Sequence, residues 1–105
     1  MFPRSYRLPV KEAHTRLRKL FSSPYFIVKT AVNTTGHNRF GIIIANSSVK
    51  KSTKRHFWKR RFIGILRGWP NFQKDFLFII SPKINNLDQN KLKEEINESL
   101  PAAGR

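Results

Sequence analysis

Apolar residues recur along this chain with two different periods, and the switches between them mark out its elements. From Val10 to Phe21, apolar Val10, Ala13, Leu17, Leu20 and Phe21 return at three- and four-residue spacing. That is the stripe of an amphipathic helix, with Arg16 and Lys19 on its outer face. Pro9 suits the first turn of such a helix, and Ser22-Ser23-Pro24 ends it. Tyr25 to Val32 is rich in aromatic and β-branched residues and predicts a strand, followed by turn chemistry at Asn33-Thr34-Thr35-Gly36. Arg39 to Ala45 predicts a second strand, apolar on both faces at Ile42-Ile43-Ile44, and the two are expected to pair as a hairpin.

A second helix is predicted from Ser52, a potential cap, to about Arg67, with Gly68 and Pro70 as its stop. Trp58, Phe62, Ile65, Leu66 and Trp69 follow helical spacing and form its buried stripe. His56, Lys59, Arg60 and Arg67 gather on a face turned away from that stripe, Arg55 lies at its border, and Lys54 and Arg61 take the other flank. Asp75 to Ser81 predicts a third strand ended by Pro82. Asn85-Asn86-Leu87-Asp88 leads into a last helix through Leu92, Ile96 and Leu100. Residues 1–9 read as an extended arm and 101–105 as a tail. The order helix, strand, strand, helix, strand, helix indicates an α+β fold: a small α/β sandwich with one mixed sheet of three to four strands and helices packed on it.

Composition narrows the partner more than the fold. A chain of 105 residues fits one domain, and 39% hydrophobic residues with nine Phe suffice for a modest core. Lys and Arg number 21 against 6 Asp and Glu, a formal net charge of +15. Such self-repulsion does nothing for folding and points to a polyanionic partner. No acid lies between Glu12 and Asp75, while fourteen Lys or Arg do. Cys is absent, which excludes disulfides and thiolate metal sites. The longest apolar runs, Phe40 to Ala45 and Phe76 to Ile80, are far short of the roughly 20 residues that span a bilayer. With no apolar run at Met1-Phe2-Pro3-Arg4, a cytoplasmic protein without membrane contact is expected.

Protein-borne catalysis finds little support. His14, His37 and His56 sit on different predicted elements with no acid nearby in sequence, so neither a metal site nor a general base is expected. The five Gly are scattered, with no phosphate-binding loop among them. The informative segment runs from Lys50 to Arg61: a helix whose first turn and outer face both present cations, suited to phosphate oxygens.

Arg39-Phe40-Gly41, Lys50-Lys51-Ser52, Lys54-Arg55-His56 and Lys59-Arg60-Arg61 together resemble the signature of the bacterial ribonuclease P protein family. That pattern has an Arg-x-Gly strand, a short Lys-rich bend and a helix containing K-x-A-x-x-R-N-R-x-x-K-R. Asp75 to Pro82, the opening Tyr6-Arg7-Leu8 and the final helix extend the likeness over nearly the whole chain. The family's Arg-Asn-Arg core reads Arg55-His56-Phe57 here, so an imidazole and an aromatic ring replace an amide and a guanidinium. His56 can still donate to a phosphate, and Phe57 can stack or pack. Where the family often carries aromatics, this chain has His14, Arg18 and Lys29, and Ser22-Ser23-Pro24 is too short for the family's short extra strand.

The resemblance implies a left-handed crossover through the second helix, against the general right-handed rule. It also implies an accessory protein subunit for an RNA-based endonuclease that trims the 5′ end of precursor tRNA, with Mg2+ held by the RNA and no obligate protein partner. Contacts with the RNA subunit would come from Lys50, Lys51, Lys54, Arg55, His56, Lys59, Arg60, Arg61 and Arg67. The precursor tRNA leader would meet His14, Arg18, Tyr25, Lys29 and Arg39 in a cleft between the first helix and the sheet. A ribosomal or other structural RNA-binding protein would share the charge and layout. A free-standing basic nuclease lacks a placed base, and a DNA-binding module is disfavoured because a strand follows the basic helix.

Overall fold

In a computed structural model, the structure describes residues 6–9 and 16–104. Four strands, β1 (Arg18–Ser22), β2 (Phe26–Val32), β3 (Arg39–Ile44) and β4 (Lys74–Ile80), form one mixed sheet in the order β1-β2-β4-β3. Helix α1 (Ser52–Leu66) connects β3 to β4, which lie parallel. Beyond β4 come two 3-10 turns, Pro82–Asn86 and Gln89–Lys91, then α2 (Leu92–Asn97) and α3 (Leu100–Ala103).

The segment expected as the end of the first helix is instead the edge strand β1, antiparallel to β2. The apolar spacing misleads because the ladder is broken between Lys19 and Phe21 by a bulge. A bulge lets consecutive residues turn toward one side, and Leu20 and Phe21 both pack against the main core. Two adjacent apolar residues in a bulged strand read like neighbours on a helix face. The short extra strand judged too long for the available chain is therefore present, within residues assigned to the helix. Residues 10–15 of that expected helix, His14 among them, lie outside the described residues. Ser23 closes the β1–β2 turn: its Oγ accepts from the Tyr25 and Phe26 amides, and its amide donates to the Phe26 carbonyl.

The expected β2–β3 hairpin does not form either, because β4 lies between the two strands and pairs antiparallel with β2 and parallel with β3. The sequence of β4, KDFLFII, is apolar toward both layers and buried along most of its length, which suits the centre of a sheet and not its edge. The loop after β2 crosses the end of β4 and is pinned there. Asn38 Oδ1 accepts from the Phe72 and Lys74 amides, and Asn38 Nδ2 donates to the Pro70 carbonyl.

One face of the sheet carries the main core. Phe26 and Val28 of β2, Phe40 and Ile44 of β3, and Phe76 and Phe78 of β4 meet Trp58, Phe62 and Leu66 of α1 and Ile96 of α2. Phe62 is fully buried, its ring 5.8 Å from Phe26 and 5.7 Å from Phe78. The helical stripe read from the sequence is thus the buried face of α1, with Trp69 just beyond it. Ser52 does not cap α1: the residue before the first turn is Lys51, and no side chain caps it. Arg55 organises the entry instead, its Nη1 donating to the carbonyls of Val49 and Lys50 at 2.8 and 2.9 Å.

The opposite face is smaller, with Leu8, Leu17, Ile43, Leu77 and Ile79. The arm joins it beside β3, where the Leu8 amide donates to the Phe40 carbonyl at 3.0 Å. Gly41 makes that approach possible, since a Cβ there would lie 3.0 Å from Leu77 Cδ1 and 3.5 Å from Leu8 Cβ. At the other end of the chain, Ala103, read as part of a tail, is buried and receives Lys74 Nζ on its carbonyl. The acidic final segment is a broken series of short helices. Asp88 starts it by accepting from the Asn90 amide, and Leu92 and Ile96 are its buried positions.

Candidate nucleic-acid interface

Helix α1 carries Lys54, Arg55, His56, Lys59, Arg60 and Arg61, with Arg67 at its end, and has no acidic residue of its own. Burial of Trp58, Phe62 and Leu66 fixes the helix's rotation, so the remaining directions follow from about 100° per residue. His56, Arg60 and Arg67 fall within roughly 40° of one another, directly opposite the core, and all three are exposed. Lys59 is half-buried at the border of this ridge. Lys54 and Arg61 lie on the flank facing the 85–93 segment. Lys50 and Lys51 are exposed on the bend before the helix. Arg55 is half-buried, and its Nη1 ties the bend that carries Lys50 and Lys51 to the helix by bonding two of its carbonyls. The first turn of α1 has no acid and no side-chain cap, leaving its amides directed at the surface beside these two lysines.

The residues expected to meet the leader are not gathered at one place. Strand register puts Lys29 and Arg39 opposite Leu77 and Asp75, on the sheet face of Leu8 and Leu17. Arg18 stands opposite Thr30, whose neighbour across the sheet is Phe76, so it points toward the other face. Tyr25 is half-buried against the main core. Arg39 is committed to Asp75, with Nε–Oδ1 at 2.8 Å and Nη2–Oδ2 at 2.9 Å. Lys19, which the sequence reading placed on the outside of a helix, pairs directly with Lys29 across β1 and β2. Nothing in the local pattern exposes that pair until β1 is known to be a strand.

Asp75 is the electrostatic centre of this face. Its side chain is fully buried and also accepts from Arg16 Nη2 and Asn33 Nδ2, each at 2.8 Å. Burial alone would raise its pKa, but the hydrogen bonds from Arg39, Asn33 and Arg16 outweigh that and hold it below the ordinary carboxylate value. Among the described residues, no three His, Asp or Glu side chains come together as metal ligands. No described helix is long and apolar enough to cross a membrane.

Comparison with known proteins gives this basic surface its context. A model of the Ribonuclease P family matches residues 2–104. Among solved structures, the RNase P protein of Staphylococcus aureus superposes with a TM-score of 0.81 at 17% identity, covering 93% of this chain and 94% of that one. A mutant of that protein with defective mRNA degradation activity gives 0.82 at 17% identity, covering 94% and 88%. The RNase P protein from Thermotoga maritima, in complex with 1-(4-fluorophenyl)-2-thiourea, gives 0.76 at 22% identity, covering 90% and 96%. No curated protein sequence matches. With a family match over nearly its full length, a shared fold and an acid-free cationic helix on its surface, the chain belongs to the ribonuclease P protein family, the accessory subunits of an endoribonuclease whose catalytic component is RNA.

Proposed function

We propose that this protein assists 5′ maturation of precursor tRNA in the cytoplasm, docking ribonuclease P RNA on α1 and steering the 5′ leader over the sheet face that bears Lys19 and Lys29. The observation that carries this reading is the ridge of His56, Arg60 and Arg67 opposite the helix's buried stripe, continued at the N-terminus by Lys50 and Lys51. A helix so charged neutralises phosphates on a structured RNA, and its affinity then comes largely from released counterions. The Lys19–Lys29 pair, on the sheet face turned away from α1, suits a flexible single strand, whose backbone can be tracked electrostatically. Arg39 belongs to the scaffold of that surface, since its guanidinium is held by Asp75.

Magnesium ions would travel with the RNA. Two of the described carboxylates are already engaged: Asp75 is filled by two arginines and an amide, and Asp88 caps the Asn90 amide. Cleavage of a precursor tRNA by a bacterial ribonuclease P RNA, at low magnesium and with or without the purified protein, tests the proposal. Stimulation that requires the RNA, with no cleavage by the protein alone, is the expected result. Absence of stimulation with the RNA from the same source would overturn it.

A further inference from the structure

Beside the outward ridge of α1, and sharing Arg60 with it, a groove runs between the helix's flank and the segment from Asn85 to Lys93. It consists of two hollows of about 490 and 400 Å3 that share Gln89. The Phe57 ring stands at its wall, 40% exposed, with the Arg61 guanidinium 5.6 Å from the ring centroid and the Trp58 ring edge-on at 5.3 Å. Phe57 lies outside the helix's apolar stripe and meets the core only at the edge of Trp58. Lys54 and Lys93 bring positive charge to the two ends of the groove.

Gly64 lies on the same flank, in the interior of α1, where glycine costs about 1 kcal/mol of helix propensity relative to alanine. A Cβ at Gly64 would meet nothing within 4 Å, so no packing inside the protein requires the glycine. Its absence of a side chain leaves the helix backbone open to close approach from outside, at the wall of the second hollow.

We infer that this groove binds a short single-stranded stretch of RNA, with one unstacked base against the Phe57 ring, Arg61 and Lys54 on flanking phosphates, and the strand passing over Gly64. Aromatic faces take any base, and cations at either side follow the backbone. The inference rests on the reading of α1 as an RNA-binding helix and adds the class of RNA that its flank takes: unpaired nucleotides, beside the structured RNA on the outer ridge.

Fluorescence titration of a short single-stranded RNA containing 2-aminopurine, with an RNA duplex in parallel, tests it. The base fluorescence is expected to change on binding to the full-length protein. Phe57→Ala and Phe57→Leu should each weaken single-strand binding roughly five- to a hundredfold, the span of one base stacked on an aromatic ring, and leave duplex binding unchanged. Phe57→Trp should restore it. Gly64→Glu, at a site with room for the side chain, should also impair single-strand binding without lowering thermal stability. Wild-type affinity in Phe57→Leu would overturn the inference, because an aliphatic side chain can replace packing but not stacking. If the wild-type protein fails to stimulate precursor tRNA cleavage while the Phe57 dependence holds, the groove stands and the processing role falls. If it stimulates cleavage and Phe57→Leu binds single strands normally, the groove alone falls.

Discussion

Replacing Asp75 by Asn keeps the volume of a fully buried side chain and removes the charge that two guanidiniums face. Four hydrogen bonds converge on the carboxylate, two from Arg39 at 2.8 and 2.9 Å and one each from Arg16 and Asn33 at 2.8 Å. Asn has one acceptor oxygen, and its amide NH2 would confront donors. The Arg39 pair dominates the cost, since that side chain is 17% exposed, whereas Arg16 at 43% is screened by solvent and adds little. Breaking a buried pair of this kind costs about 3–5 kcal/mol, a large part of the roughly 5–15 kcal/mol that holds a small domain together.

Urea unfolding followed by tryptophan fluorescence measures this, because Trp58 and Trp69 are both buried. The pH dependence gives a second check. Asp75 has a folded-state pKa below the ordinary 3.8, so its contribution is complete above the unfolded value and is lost as pH falls through the folded one. The gap between wild type and Asp75→Asn should therefore be widest near neutrality and shrink on acidification below about pH 4. A destabilisation under about 0.5 kcal/mol, the usual range for inconsequential surface changes, would refute the account, as would a gap that does not narrow in acid.

Arg60→Ala combined with Arg67→Ala should weaken binding to ribonuclease P RNA and reduce the magnitude of the salt slope by roughly one to two, as expected for two lost phosphate contacts; filter binding across a salt series reads both. Gly41→Ala places a Cβ 3.0 Å from Leu77 Cδ1 and should cost about 1–3 kcal/mol, with faster hydrogen exchange at the Leu8 amide that bonds to Phe40. Lys29→Glu should raise the KM for precursor tRNA with a long leader and leave that for a leaderless analogue unchanged. Equal effects on both substrates would remove Lys29 from the leader path.

The buried stripe of α1 and its cationic exterior were legible from the sequence because both are properties of one helix, set by its own periodicity. Trp58, Phe62 and Leu66 face the core wherever the helix docks, and His56, Arg60 and Arg67 are then forced outward. The family signature was equally readable, since Lys50-Lys51, Arg55 and Lys59-Arg60 are adjacent in sequence. The central place of β4 was half-visible in its two-sided apolar run, but its neighbours were not. Strand pairing joins segments tens of residues apart, and no local pattern shows that residues 74–80 divide β2 from β3.

The same limit governs the rest. Leu20 and Phe21, which continue a helix-like spacing from Leu17, belong to a bulged strand that only its partner β2 reveals. The Lys19–Lys29 juxtaposition depends on that pairing. Arg39 reads as a surface cation until Asp75 is brought beside it from 36 residues away. Sequence by itself determined the charge, the chemistry and the faces of single elements, because those follow from composition and local period. Tertiary structure decided which cations face outward and which are held by the fold, because that depends on the acids and carbonyls that distant segments bring within hydrogen-bonding reach.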